Sequence, residues 1–240
     1  MIKPEVQLQR EYYTRTAKEY EALHMRGDGE HDMACALIQS LAGYHRYSSI
    51  LDVGSGTGRA IMVLSKGIPH VRVVGVEPVD ALRAIGYSHG INPDNLVDGD
   101  ATKLQFNDGE FDLVCELGVL HHIPNPRQAI SEMIRVSGRA IFISDCNRFG
   151  RGSRVGRLSK VILWRLGVWP VMNWIKTRGR GYDYLENDGI AYSYSIFDDY
   201  DFIRRQFDHV MVFNLDGDGK SPLTGAAHVG LFAFNKKSMG

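Results

Sequence analysis

Glycines and carboxylates between residues 50 and 145 recur at intervals that suit a bound nucleoside. The run Ile50-Leu51-Asp52-Val53-Gly54-Ser55-Gly56-Thr57-Gly58 is an apolar strand ending in a carboxylate, followed by three glycines at alternate positions. Each glycine lacks a Cβ, so the backbone can turn sharply there and let a ligand come close. A pyrophosphate-binding turn spaces its glycines G-x-G-x-x-G and would need the third at position 59. Position 59 is Arg, and the third glycine comes one residue early, at Gly58. The register therefore favours an adenosyl cofactor and counts against a dinucleotide oxidoreductase. Further acids follow in order. Glu77 closes the apolar run from Val71 to Val76, 23 residues after Gly54, where it can accept hydrogen bonds from both hydroxyls of a ribose. Asp100 and Ala101 follow the short run Asn95-Leu96-Val97, Glu116 and Leu117 follow Phe111 to Cys115, and Asp145 ends the run from Ala140 to Ser144.

Such residues need a scaffold that delivers several strand ends to one place. Short β-branched runs alternate with helical stretches up to Asp145, which predicts an α/β fold with a parallel sheet and helices on both faces. Two late apolar runs, 209–215 and 228–235, fit an antiparallel terminal pair. With 240 residues, 44% of them hydrophobic, the chain can bury one substantial core and reads as one domain. Its formal charge is zero, so no global electrostatic pull toward nucleic acid is expected. Cys35, Cys115 and Cys146 are far apart and form no C-x-x-C pair, which points to a reducing compartment and away from structural zinc or disulfides. The stretch Met1 to Glu5 has no apolar leader core, and no run of about eighteen apolar residues occurs, so a cytoplasmic, non-spanning protein is expected.

Together these motifs resemble the class I S-adenosylmethionine-dependent methyltransferases, in their small-molecule branch, over about residues 10–145. The resemblance implies a single Rossmann-like domain across 1–240, on a seven-stranded, mostly parallel sheet in the order 3-2-1-4-5-7-6 with the last strand antiparallel. It also implies a helical cap over the cofactor at 1–47 and a lid-like insertion after strand five at 148–195. The implied cofactor is S-adenosylmethionine. Asp52, Gly54, Ser55 and Gly56 would lie along its methionine part, and Glu77, with Pro78 beside it, would hold the ribose. Asp100 and Ala101 would meet the adenine, and the backbone carbonyls of Glu116 and Leu117 the methionine amino group. Tyr12-Tyr13, Ala17 and Tyr20 look similar to the N-terminal helix that closes over the cofactor, with Tyr12 and Tyr20 as its contacts.

A sulfonium already makes its methyl group electrophilic, so such a protein must chiefly hold a nucleophile in line, an orientation effect of about 7–11 kcal/mol in aligned systems. A hydroxyl acceptor gains from a base. By the family analogy His121 and His122, just past strand four, are the best-placed catalytic residues, with an ordinary pKa of about 6.5 that leaves a neutral base. Their structural alternative is one histidine packing the next helix while the other faces solvent. Asp145 is at a strand's carboxyl end, where ligands gather in open α/β sheets, and its structural alternative is a turn-forming Asp. Asp145-Cys146-Asn147 departs from the adjacent Asp-Asn of magnesium-dependent catechol methylation, so no metal is expected. Amino-group methylation of bases and amides usually needs an Asn/Asp-Pro-Pro-Tyr run, which is Glu116-Leu117-Gly118 here, and neither Cys115 nor Cys146 is placed as the nucleophile of cytosine methylation. The acceptor expected is an oxygen of a small molecule, a sugar or a secondary metabolite.

One segment is unlike the rest. From Arg148 to Arg180 there are nine Lys or Arg residues, all three tryptophans and no Asp or Glu. Leu158, Val161, Ile162, Leu166 and Trp169 recur at helical spacing until Pro170, but without a clean polar face opposite, so an interfacial helix is not assigned. The basic character suggests an anionic acceptor, with Arg151, Arg154 and Arg157 as its contacts. The alternatives are a peripheral membrane contact through 148–180 serving a lipid-linked acceptor, and a cofactor-binding protein without catalysis. Arg59 reads equally as a solvated helix start or a substrate contact.

Overall fold

A computed structural model describes residues 4–24 and 29–235. Residues 1–3 and 25–28 of the anticipated cap, and 236–240 of the anticipated domain, lie outside the described residues. The chain opens with three helices, α1 (Pro4–Thr16), α2 (Tyr20–His24) and α3 (Gly29–His45). Strands and helices then alternate through β1 (Ser49–Val53), α4 (Arg59–Gly67), β2 (Arg72–Val76), α5 (Asp80–Ser88), β3 (Leu96–Val97), β4 (Phe111–Leu117), α6 (Pro126–Val136) and β5 (Ser137–Cys146). Next come α7 (Arg154–Arg165), α8 (Trp169–Lys176), β6 (Tyr182–Leu185), β7 (Gly189–Tyr192) and α9 (Tyr200–Arg204), before the closing strands β8 (His209–Asn214) and β9 (His228–Phe234).

Successive strand side chains point to opposite faces, so a strand covered on both sides must be apolar throughout. That is why β1, β2, β4 and β5 read as continuous hydrophobic runs. Leu51, Val74, Val114 and Ile141 pack toward α6, whereas Ile50, Val73, Leu113 and Phe142 pack toward α3 and α4. Pairing is parallel from β3 through β2, β1 and β4 to β5. The register sets Val53 level with Val76 and Glu116, and Glu116 level with Ile143. Four carboxyl ends therefore finish at one edge of the sheet, which carries Gly54, Glu77, Gly118 and Asp145 to the same side. β9 runs antiparallel to β5, and β8 antiparallel to β9. Counted without β6 and β7, which pair only with each other, the order is the expected 3-2-1-4-5-7-6 with an antiparallel seventh strand.

Segment 148–195 holds α7, α8 and the β6–β7 hairpin. The helix expected to run to Pro170 stops earlier, at Arg165, where Gly167 takes a φ of +70° and turns the chain. Pro170 instead begins α8, in the first turn, where its missing N–H leaves no helix bond unmade.

Candidate active site

All three glycines after β1 have positive φ, 78° at Gly54, 55° at Gly56 and 82° at Gly58. A Cβ on Gly54 would lie 2.5 Å from a Val119 methyl, and one on Gly56 would lie 2.6 Å from Tyr20 Oη. Ser55 Oγ donates to the Asp52 carbonyl at 2.9 Å and closes the turn. Glu77, buried at the end of β2, accepts the Gly56 N–H at 3.1 Å on one oxygen and the Val79 N–H at 2.9 Å on the other. Burial pushes the Glu77 carboxyl up to about 7 and that of Asp52 up to about 6.

Two cavities are lined by residues at these strand ends. The larger, about 760 Å³, has Tyr20, Asp52, Gly54, Ser55, Thr57 and Leu117 in its wall, and the smaller, about 270 Å³, has Arg10, Pro78 and Asp100. Thr57 Oγ1 is buried with no hydrogen-bond partner among the described residues. In the smaller cavity Asp100 is already engaged. Its Oδ1 accepts from Thr102 N at 2.8 Å and Thr102 Oγ1 at 2.6 Å, and its Oδ2 pairs with Arg10 at 2.7 Å.

A short 3₁₀ turn, Leu120–His122, follows β4 and presents both histidines to the larger cavity. His121 Nδ1 donates to Asp145 Oδ1 at 2.7 Å, its backbone N–H donates to Asp145 Oδ2 at 3.1 Å, and its Nε2 faces Asp188 Oδ2 at 3.6 Å. His122 Nδ1 is 2.6 Å from the Ile190 carbonyl oxygen. A carbonyl only accepts, so Nδ1 donates to it; Gln9 Nε2, itself a donor, comes within 3.2 Å of the same nitrogen, and the ring's Nε2 is left for other partners. That Nε2 lies 3.1 Å from Tyr13 Oη and 3.3 Å from Asp188 Oδ1. Burial opposes the charge on His121, but the Asp145 carboxylate outweighs it and holds the imidazole well above its usual range. Burial likewise opposes the charge on Asp188, and the two imidazoles facing it win, holding its carboxyl well below the usual range. Two buried carboxyls separate in the same way. Burial and the Asp145 charge push Glu116 well up, whereas Asp145, against its own burial, is held down by His121.

Asp188 comes from the β6–β7 turn, and α1 clamps that turn in place. Gln9 Nε2 donates to the Asp188 carbonyl at 3.0 Å while Gln9 Oε1 accepts the Ile190 N–H. Tyr12 Oη donates to the Glu186 carbonyl at 3.0 Å, and Tyr13 Oη reaches Asp188 Oδ1 at 3.3 Å. Among the described residues, His121, His122 and Asp188 bring potential cation ligands within 4.8 Å of one another, as do His121, Asp145 and Cys146. Here those atoms bond to one another.

A sequence profile described as a methyltransferase domain matches residues 51–141, from β1 into β5. Residues 51–141 belong to the class I S-adenosylmethionine-dependent methyltransferases. A probable chloroplastic tocopherol O-methyltransferase of Oryza sativa is 34% identical to the chain over 107 residues, 42% of this chain and 30% of that protein. A demethylmenaquinone methyltransferase of Staphylococcus aureus is 34% identical over 97 residues, 39% of this chain and 40% of that protein. The match thus spans well under half the length of these relatives. Magnesium protoporphyrin IX methyltransferase of Synechocystis, solved with bound SAH, shares the fold, with a TM-score of 0.60 over 95% of this chain and 98% of that one at 14% identity. The methyltransferase family's cofactor is S-adenosylmethionine.

The methyltransferase fold brings the residues expected from sequence together, with exceptions. Asp52, Gly54, Ser55, Tyr20, Leu117, His121, His122 and Asp145 share the larger cavity, Gly56 lies beside it against Tyr20, and Pro78 and Asp100 line the smaller. Ala101 packs against the core, and the Glu116 side chain turns inward to accept the Val119 N–H at 2.9 Å. Tyr12 is placed elsewhere, on the hairpin, and its neighbour Tyr13 faces the cavity instead. Arg59 lines the cavity and pairs with Asp32 at 2.7 Å. Sequence reasoning missed Asp188. Its one signal was an acid standing beside a glycine, in a short turn between two runs rich in tyrosine.

Proposed function

We propose that the chain transfers a methyl group from S-adenosylmethionine to an oxygen of a small, anionic acceptor, with His122 as the base. S-adenosylmethionine, when bound, supplies a methyl group already activated on a sulfonium. The observation that supports the reading is that His122, whose Nδ1 is taken by the Ile190 carbonyl, lines the same cavity as the glycine loop. The acceptor hydroxyl gives its proton to Nε2 as its oxygen attacks in line, and Asp188 at 3.3 Å stabilises the imidazolium that forms. His121 and Asp145 hold the turn that presents His122, through the 2.7 Å and 3.1 Å contacts. Segment 148–195 acts as the lid, since its hairpin delivers Asp188 and its helices deliver Trp169 and Lys176 to the same cavity.

An anionic acceptor is supported by the cations in the wall, Arg151, Lys160 and Lys176. Lys160 donates to the Arg148 and Arg151 carbonyls at 2.8 Å each, and burial with the surrounding cations pushes its ammonium down, while Lys176 is paired with Asp183 at 2.7 Å. Trp169 Nε1 and Tyr192 Oη are buried in this region without hydrogen-bond partners among the described residues, which suits a polar acceptor. Arg154 and Arg157, expected as contacts, are outside the wall, and Arg148 is held by Asp198. A lipid-linked acceptor is a second reading, favoured by the apolar side chains exposed on α7 and α8.

Labelled S-adenosylmethionine with paired acceptors, neutral sugars against their phosphorylated, nucleotide-linked or carboxylated forms, tests the proposal. Label is expected on oxygen of the anionic member, with KM raised about tenfold in the Arg151→Ala, Lys176→Ala double variant and cofactor affinity unchanged. Transfer to nitrogen alone, or equal turnover of neutral and anionic acceptors, would sink it.

A further inference from the structure

Helix α7 is built inside out. Val155, Leu158, Ile162 and then Leu166 follow one another at three- and four-residue intervals, the spacing of a stripe that normally packs against a core. Here that stripe faces water, with relative exposures of 79, 59, 48 and 69%. The side turned inward carries Lys160, which reaches backbone carbonyls, and Trp164, whose ring meets that of Phe149 at 5.2 Å. Val161 is the one buried residue of α7, and α8 has none. Trp174 and Ile175 on α8 are 61% and 58% exposed, so the two helices present large apolar groups outward together.

We propose that the outer face of α7 and α8 seats on an anionic lipid surface. Charge selects the occupant. Residues 148–180 contain nine Lys or Arg and no acid, and among the described residues Arg154, Arg165 and Arg178 make no ion pair. A second copy docking on the same face would press one cationic surface onto another, because a two-fold contact repeats the patch on both sides. Anionic headgroups instead neutralise the arginines while the apolar side chains enter the headgroup boundary, and Trp is the aromatic that favours that depth. Among the described residues no helix is long and apolar enough to cross a membrane, so the contact lies on the surface. Trp169, Lys176 and Leu185 line the cavity from the same helices and the adjoining hairpin, so an acceptor held at the lipid surface would arrive at the mouth of the site. That last step rests on the methyl-transfer reading; the docking does not.

Vesicle co-sedimentation of the full chain, without cofactor or acceptor, separates the two ideas. Vesicles with about 30% phosphatidylserine should pellet the protein at low salt and release most of it as salt rises, and pure phosphatidylcholine should bind it at least about tenfold more weakly. The Leu166→Ser, Trp174→Ser, Ile175→Ser variant, whose changes are all exposed, should lose about tenfold in vesicle affinity while binding S-adenosylhomocysteine as before. The Arg154→Glu, Arg165→Glu variant should lose binding to the anionic vesicles in the same way. Failure to pellet on either vesicle, equal binding to both, or a stable dimer in solution broken by the serine variant would overturn the proposal. In each of those cases methyl transfer to a soluble acceptor could still be measured and judged separately.

Discussion

At the level of single residues the proposed site sets two carboxylates, Asp145 and Asp188, against two histidines. Asp145, at 2.7 Å, holds the His121 imidazole well above its usual range, so His121 is the poorer proton acceptor and His122 is the base proposed here. His122→Gln should therefore lower kcat by about 10²–10⁴ with cofactor affinity unchanged, as steady-state kinetics and calorimetry would show, and full kcat in that variant would remove the base. Glu77 makes a separate prediction about the cofactor. Burial pushes its carboxyl up to about 7, and ribose hydroxyls donate best to the ionised form. Affinity for S-adenosylhomocysteine should weaken as pH falls from 8 to 6, and Glu77→Gln should bind about 10–100-fold more weakly with a flat pH profile. A pH dependence that survives the substitution would assign the titration to another group.

At the level of elements, α1 is a piece that touches both cavities, through Tyr13 and Arg10. Arg10 takes Asp100 in the smaller cavity, while Gln9, Tyr12 and Tyr13 hold the hairpin that carries Asp188. Removing one contact at each end should separate the halves. Tyr12→Phe loses the bond to the Glu186 carbonyl and should raise acceptor KM without moving cofactor affinity. Arg10→Ala frees an Asp100 oxygen and should tighten the cofactor by up to about fivefold, the range of a partly exposed ion pair. Equal effects of both changes on both ligands would mean that α1 does not divide the work this way. The contrast between Tyr12 and Tyr13 also shows where sequence reading stops. Neighbouring helical residues point about 100° apart, so which tyrosine meets the cavity depends on how α1 docks, not on the residues. The central strands were legible because burial on both faces forces continuous apolar runs. The β6–β7 hairpin was not, because most of its residues are half-buried or exposed and it is fastened by partners more than 170 positions away in the chain. Glu77 could be read from spacing within one strand–helix unit, but Asp188 reaches the histidines only through that long-range fastening.

For the whole molecule, the same buried charges that build the site set how stability depends on pH. Glu77 and Asp52 have carboxyls pushed up by burial to about 7 and about 6, so the folded chain holds protons that the unfolded chain has released. Their contribution is present at low pH and lost as pH rises through those values. His121 acts in the same direction, because its raised pKa lends stability below the ordinary histidine range that fades as pH climbs. Asp145 and Asp188, held down by the imidazoles, act oppositely and lose their contribution as pH falls below the usual carboxylate range. Thermal unfolding without ligand should therefore be most resistant near about pH 5 and decline toward pH 8, with Glu77 contributing at most on the order of 3 kcal/mol. The cofactor should pull the other way, since it favours an ionised Glu77, so its stabilising shift in Tm should grow from pH 6 to pH 8. Glu77→Gln should raise Tm at pH 8 more than at pH 5 and level the cofactor's pH trend. A Tm that climbs steadily from pH 5 to pH 8 in the native chain would mean that the carboxylates at the glycine loop are not held in the buried state the fold assigns them.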